Sequence, residues 1–274
     1  MLSVDYRRYL FMMNNKTVAS ILILKPGDHA FSAPHPYTLY QGLAYSETSL
    51  IGPSKTSFYL RITQSLLQQL NSVHPNHSLC LHPSVYDMRA FQWHNYNDPI
   101  SKRYSIDLRY TGIIPILEHQ SFSKYLTTIR SSRRQDYKKS QKLGITLSRK
   151  NLVSDFIRLY ELTFARQSIE KPSFKIANTR DLLLSLLNSG IARMLSAIDQ
   201  NGYVCSSVVI ISDPVCDYYL FGASDPDFRS YGVNTFLLLE SLKDSFESGK
   251  KYFDMVGINS PNRGDFKTSF NAIP

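Results

Sequence analysis

The order of strand-like and helix-like runs in this chain occurs twice, and that repetition constrains the fold more than any single motif does. In the first half, residues 9–13 and 18–24 are apolar, strand-like runs joined by Asn14-Asn15-Lys16. Asparagine tolerates the positive φ of a tight turn, so the pair reads as a β-hairpin. A strand-like run over 37–46 carries Gly42, and a loop with Gly52, Pro53 and Ser54 follows it. Over 57–70, Tyr59, Ile62, Leu66, Leu67 and Leu70 recur at helical spacing. A short strand at 78–81 closes the unit.

The second half replays this order. Strands over 191–198 and 203–211 flank Gln200-Asn201-Gly202, a run over 217–224 carries Gly222, and a loop leads into a helix over 233–246. Gly249 stops that helix, and 251–257 is the closing strand. Between the copies, 121–142 reads as helical with a break near Ser131-Ser132 and a cap at Gly144. Residues 154–166 form another helix, and Thr179 caps a further one over 180–187. The expected fold is α/β (α+β): two tandem units, each a mixed, mostly antiparallel sheet flanked by helices. The expected division is an N-terminal unit at 1–120, a basic helical connection at 121–150 and a C-terminal unit at 151–274.

Composition narrows the class. A chain of 274 residues, 43% hydrophobic, is long for one ordinary core, and 12 Gly with 13 Pro exclude collagen-like and low-complexity chains. The longest apolar stretch, 18–24, falls far short of the roughly 20 residues of a membrane span. The opening residues lack the pattern of a signal peptide. Cys80, Cys205 and Cys216 are widely spaced, which points to a reducing compartment and a cytoplasmic location. The net charge of +9 is uneven: 1–150 holds 19 Lys/Arg against 8 Asp/Glu, and 151–274 holds 12 against 14. Arg130, Arg133, Arg134, Lys138, Lys139 and Lys142 lie in one short segment. They form either a polyanion-binding stripe, for a phosphate-rich cofactor, nucleic acid or an anionic membrane surface, or a solvated helix face.

The order hairpin, long strand, loop, helix, strand resembles the GNAT acyltransferase fold. In that family a loop of form R/Q-x-x-G-x-G/A leads into a helix whose first amides hold the diphosphate of acyl-coenzyme A. Arg229, Tyr231, Gly232, Val233 and Asn234 stand at that place, with Asn234 departing from the pattern. Unpaired N–H groups at a helix start suit an anion there, and glycine permits close approach. The stretches at 133–145, 218–234, 251–261 and 264–270, with 87–93 in the first half, are similar to the FemAB-type branch, which includes peptidoglycan aminoacyltransferases that use aminoacyl-tRNA. The resemblance implies that Phe266-Lys267 is that branch's Phe-Lys pair, with the lysine stabilising a developing oxyanion.

Acyl transfer needs a held donor, a deprotonated amine and charge stabilisation at the carbonyl oxygen. Lys267 is the candidate for the last. Asp254, on the closing strand, is placed to orient the amine, to act as base, or to bond a neighbouring loop. Tyr218, Tyr219 and Tyr231 are candidate leaving-group acids. Asp87, Arg89 and Trp93 suggest either an acceptor-binding group, with Arg for an anion and Trp for stacking, or an Arg–Asp pair beside a packed Trp. All seven histidines, His29, His35, His74, His77, His82, His94 and His119, precede the second copy, so none is a local base there. His74, His77, Cys80 and His82 match no standard zinc spacing and Pro75 interrupts them, so no metal is expected. The resulting expectation is an N-acyltransferase that takes its acyl group from acyl-CoA (acetyl-CoA). Its acceptor is an amine on an anionic small molecule or cell-wall precursor. The alternatives are an aminoacyl-tRNA donor, or a non-catalytic protein that binds RNA or an anionic surface.

Overall fold

The computed structural model describes residues 4–26, 37–166 and 173–274; His29 and His35 lie outside them. The chain divides after Leu108 into two compact units. In the first, β1 (Val4–Met13) and β2 (Lys16–Pro26) form the hairpin, and β3 (Leu43–Tyr45) adds to β2. Asn14 and Asn15 take φ of 49° and 59°, the turn that asparagine accommodates. Helix α1 (Gly52–Val73) starts earlier than its apolar periodicity suggests, because Pro53 costs nothing in a first turn whose N–H groups are unused. Its Leu66, Leu67 and Leu70 pack with Ile21, Ile23 and Phe91, the last on α2 (Arg89–Trp93). The strand expected at 78–81 is not formed. Pro75 and Pro83 bracket that run, and among the described residues the Gln41 N–H donates to the Cys80 carbonyl at 2.6 Å.

The second unit holds β4 (Thr111–Pro115), α3 (Phe122–Thr128), α4 (Ser131–Lys142), β5 (Thr146–Ser148), α5 (Val153–Arg166), α6 (Ser173–Asn188), β6 (Ala192–Ile198), β7 (Val204–Ser212), β8 (Cys216–Ser224), α7 (Val233–Glu247), β9 (Tyr252–Gly257) and α8 (Pro261–Thr268). Its sheet runs β4-β9-β8-β7-β6-β5, antiparallel throughout except for the β8–β9 pair, which α7 connects. The boundary therefore falls at 108/109, not at 120. The basic stretch is no separate connection, since β4 pairs with β9 and α4 packs on α7. The break in the expected 121–142 helix comes at Ile129-Arg130, and Gly144 takes φ of 71° just past α4. Thr179 lies fully buried inside α6, several residues past the start of that helix.

Two cores cover the two sheet faces. On one, Phe236, Leu237, Leu238 and Leu242 of α7 meet Phe253, Met255 and Phe270; on the other, Phe156, Leu159 and Leu183 of α5 and α6 meet Val209 and Phe221. Sandwiching on both faces explains why β7 is buried at seven successive positions, Ser206 and Ser207 included, instead of at alternate ones.

Candidate functional site

Parallel strands β8 and β9 pair at only three positions, Cys216 with Tyr252, Asp217 with Phe253 and Tyr218 with Asp254. Both strands run on beyond this point without pairing to each other, so a wedge opens between them. Beside it, a bulge leaves Leu220 outside the β7–β8 ladder. The extra residue inverts the alternation: Tyr219 packs with the α7 side and Phe221 with the α5 side. Tyr219 thus leans back over Gly222, where a Cβ would sit 1.8 Å from the tyrosine hydroxyl.

Lys267 stands in this wedge. Helix α8 can sit close because a Cβ at Gly264 would come within 2.6 Å of the Ile258 carbonyl oxygen, so only glycine fits there. One turn on, Lys267 is 7% exposed. Its Nζ donates to the carbonyls of Val256 and Gly257, each at 3.2 Å, and lies 5.2 Å from the Tyr219 ring centroid. Burial and the charge of Arg263 draw the ammonium down to about 8, against an opposing pull from Asp254. Phe266 is packing: it stands edge-on to Phe270 and takes the Arg133 guanidinium at 5.1 Å. Asp254 is fully buried, and its Oδ1 accepts from the Thr111 hydroxyl and from the Val256 N–H at 2.6 Å. Asp254 thus ties the backbone of its own strand to β4. Tyr218 donates to Asp213 at 2.8 Å, and burial pushes Tyr219 up to about 12, so both phenols keep their protons.

The loop before α7 differs from an open diphosphate cradle. Gly232 takes φ of 75°, and a Cβ there would lie 2.7 Å from the Asp136 carbonyl oxygen of α4. Ser140 and Lys139 of α4 donate to the carbonyls of Tyr231 and Ser230, at 2.6 and 2.7 Å. The Asp136 carboxylate accepts from Thr235 in the first turn of α7, at the positive end of the helix dipole. The glycine expected to admit phosphates is spent on the approach of α4, and an acid already stands at the helix start. These features make the loop tighter and more acidic than the cradle expected for coenzyme A's diphosphate. Arg229 is exposed, Val233 is buried, Tyr231 packs edge-on to Phe228, and Asn234 hydrogen-bonds Tyr219 while its Oδ1 is buried without a partner.

The basic residues of α4 are largely engaged within the unit. Arg130 forms a two-bonded pair with Asp265 and Arg133 pairs with Asp136; Arg134 donates to the Ile129 carbonyl and so finishes α3. Lys138 and Lys142 are exposed and make no ion pair among the described residues. In the first unit, Asp87 and Arg89 form a two-bonded pair at 2.8 and 2.7 Å, with the guanidinium 5.5 Å from the ring of a half-exposed Trp93. His74 bonds Tyr9 and His77 bonds Tyr104, so these rings fasten the fold. Among the described residues, no three His, Cys, Asp or Glu side chains gather as a metal site. A cavity of about 120 Å³ in the first unit, between β1 and α1, has no charged side chain in its lining.

Val256, Thr111 and Arg263 were not foreseen. Nothing local marks Val256 for its φ of 57°, and Thr111 reaches Asp254 only through the β4–β9 pairing.

A family model described as acetyltransferase (GNAT) domain matches residues 123–268. No curated protein matches the sequence. Among solved structures, the chain is similar to FemX, with TM-score 0.67 and 14% identity over 98% of this chain and 85% of that one. It is similar also to L-PGS from Bacillus licheniformis, with TM-score 0.56 and 10% identity over 97% and 81%. A third is a tandem GNAT protein from the clavulanic acid biosynthesis pathway, with TM-score 0.53 and 8% identity over 99% and 80%. At these identities the likeness is one of fold.

Proposed function

The chain belongs to the GNAT acetyltransferase family, and on that footing we propose that it transfers an acyl group to an amine in the wedge between β8 and β9, with Lys267 as the stabilising cation. The observation that carries this is a buried lysine, aimed by two backbone carbonyls into a gap in the sheet. The acceptor nitrogen attacks the acyl carbonyl carbon, the bond from that carbon to the donor oxygen breaks, and the proton lost by the amine ends on the departing oxygen as a hydroxyl. Negative charge collects on the carbonyl oxygen between these events. An ammonium fixed in a poorly solvated site stabilises it more than water does. With its proton held to about pH 8, Lys267 is mostly charged at neutral pH.

The donor proposed is an aminoacyl ester of tRNA. The closed cradle at Gly232 argues against a diphosphate-linked carrier, and exposed Lys138 and Lys142 offer charge to a nucleic acid backbone. A second reading keeps acyl-CoA, favoured by the exposed Arg229 at the start of the same loop. The proposed acceptor is the amine of an anionic, cell-wall-precursor type of molecule. Three widely spaced cysteines and a tRNA donor suit the cytoplasm. No helix among the described residues is long and apolar enough to cross a membrane.

The test offers the purified protein aminoacyl-tRNA and acetyl-CoA separately, with a panel of anionic amines. The proposal expects amide product from the tRNA ester, lost in Lys267→Ala. Product that persists in that variant removes Lys267 from the chemistry, and product from acetyl-CoA alone establishes the second reading.

A further inference from the structure

Val256 takes φ of 57° at the point where β9 ends. A β-branched residue avoids this region, because its side chain crowds the backbone, and it stays there only where the surroundings hold it. The consequence is visible in the next two carbonyls. In an extended strand successive carbonyls point to opposite edges. Here those of Val256 and Gly257 both accept from the one Lys267 ammonium. The left-handed turn is what brings them together. What holds it is equally specific: Asp254 Oδ1 accepts the Val256 N–H two residues on, and the Thr111 hydroxyl of β4 donates to that same oxygen.

We propose that Val256 is a positioning residue, held in its left-handed conformation by the Thr111–Asp254 contact so that two backbone carbonyls fix Lys267 in the wedge. The strain is stored where it aims the cation, and the closing strand and β4 act together as its mount. The groups facing the ammonium are the two carbonyls and Asp254 on β9, Arg263 on its own helix, and the Tyr219 ring on β8. Asp254 is here a pin for the backbone. This inference rests on the proposed role of Lys267, but its geometry is independent of substrate.

The test follows the titration of Lys267 by NMR in protein labelled with [ε-13C]lysine, with the resonance assigned by its loss in Lys267→Arg. In Val256→Pro the ring fixes φ near −65° and removes the N–H that Asp254 holds, so the turn is lost, one carbonyl rotates away, and the buried ammonium loses an acceptor. In Thr111→Val the pin loosens. Both variants should lower the midpoint by about one pH unit, since a lost acceptor destabilises the charged form. Both should also lower kcat about tenfold with KM changed less than twofold. Val256→Asn, which tolerates the left-handed region, should keep the parent midpoint. An unchanged midpoint in both Val256→Pro and Thr111→Val overturns the inference. A shifted midpoint in a protein that transfers no acyl group leaves the inference standing and sinks the proposed function instead.

Discussion

Lys267 works under two opposed influences, and its pH behaviour follows from them. Burial and Arg263 lower the folded-state value to about 8, below the 10.5 of an ordinary lysine. Between those values the unfolded chain binds the proton that the folded one has released, so stability rises with pH across that window. A Lys267→Met variant should lose this rise, as read by chemical denaturation at pH 7, 8 and 9. Activity runs the other way. If the ammonium is the active form, kcat should fall as pH climbs through about 8, after an earlier rise as the acceptor amine deprotonates. Lys267→Ala should lower kcat about 10²–10³-fold, the range found when one oxyanion donor is removed. Gly232→Ala meets both a positive φ and the Asp136 carbonyl at 2.7 Å, so it should cost about 1–3 kcal/mol in thermal denaturation. The sequence picks out both residues, but for Gly232 the reason differs. A glycine that admits a ligand and one that admits a neighbouring helix look alike until the helix is seen. The pair Phe266-Lys267 points to the lysine in the sequence; the backbone that holds its ammonium leaves no such mark, because a left-handed valine has no local signature.

At the level of elements, the ends of four secondary structures are knotted by one buried acid. Asp217 on β8 accepts from Arg193 on β6, Ser212 on β7 and Ser245 on α7, at 2.7, 2.6 and 2.5 Å. Burial is the largest single influence on its carboxyl and pushes it up, yet these bonds together outweigh it and hold it below 3.8. Its contribution is therefore complete above the ordinary carboxylate value and is lost as pH falls through the lower folded one. Asp217→Asn should lower stability at pH 7 and flatten the acid limb of the stability curve, while the difference between the two proteins narrows toward pH 2. A variant that keeps the parent's acid limb would show that the charge at Asp217 does not matter. The hairpins were plain in the sequence because Asn14-Asn15 and Asn201-Gly202 carry their turn geometry in two residues. The place of β4 was not, since it joins the sheet beside a strand from the far end of the chain and leaves no local pattern. The expected strand at 78–81 failed for the converse reason: its alternation was adequate, but two prolines limit the ladder it can join.

For the molecule as a whole, the duplication visible in the sequence corresponds to two units with separate cores, of which the second carries the larger sheet. The excess of basic charge lies in the first 150 residues, yet much of its densest segment is tied to Asp265, Asp136 and backbone carbonyls. The part left for a polyanion is small and specific. Replacing Lys138 and Lys142 by Gln should weaken tRNA binding and reduce the slope of log affinity against log salt by about 1–2, the value for two lost phosphate contacts. An unchanged slope would assign these lysines to solvent alone. The central claim is acyl transfer at the β8–β9 wedge through Lys267, and the most direct measurement is single-turnover transfer from aminoacyl-tRNA to an anionic amine, in the parent chain and in Lys267→Ala. The account predicts amide formation in the first and a loss of at least about a hundredfold in the second. Equal rates in the two proteins, or no transfer from any activated acyl ester, would contradict it.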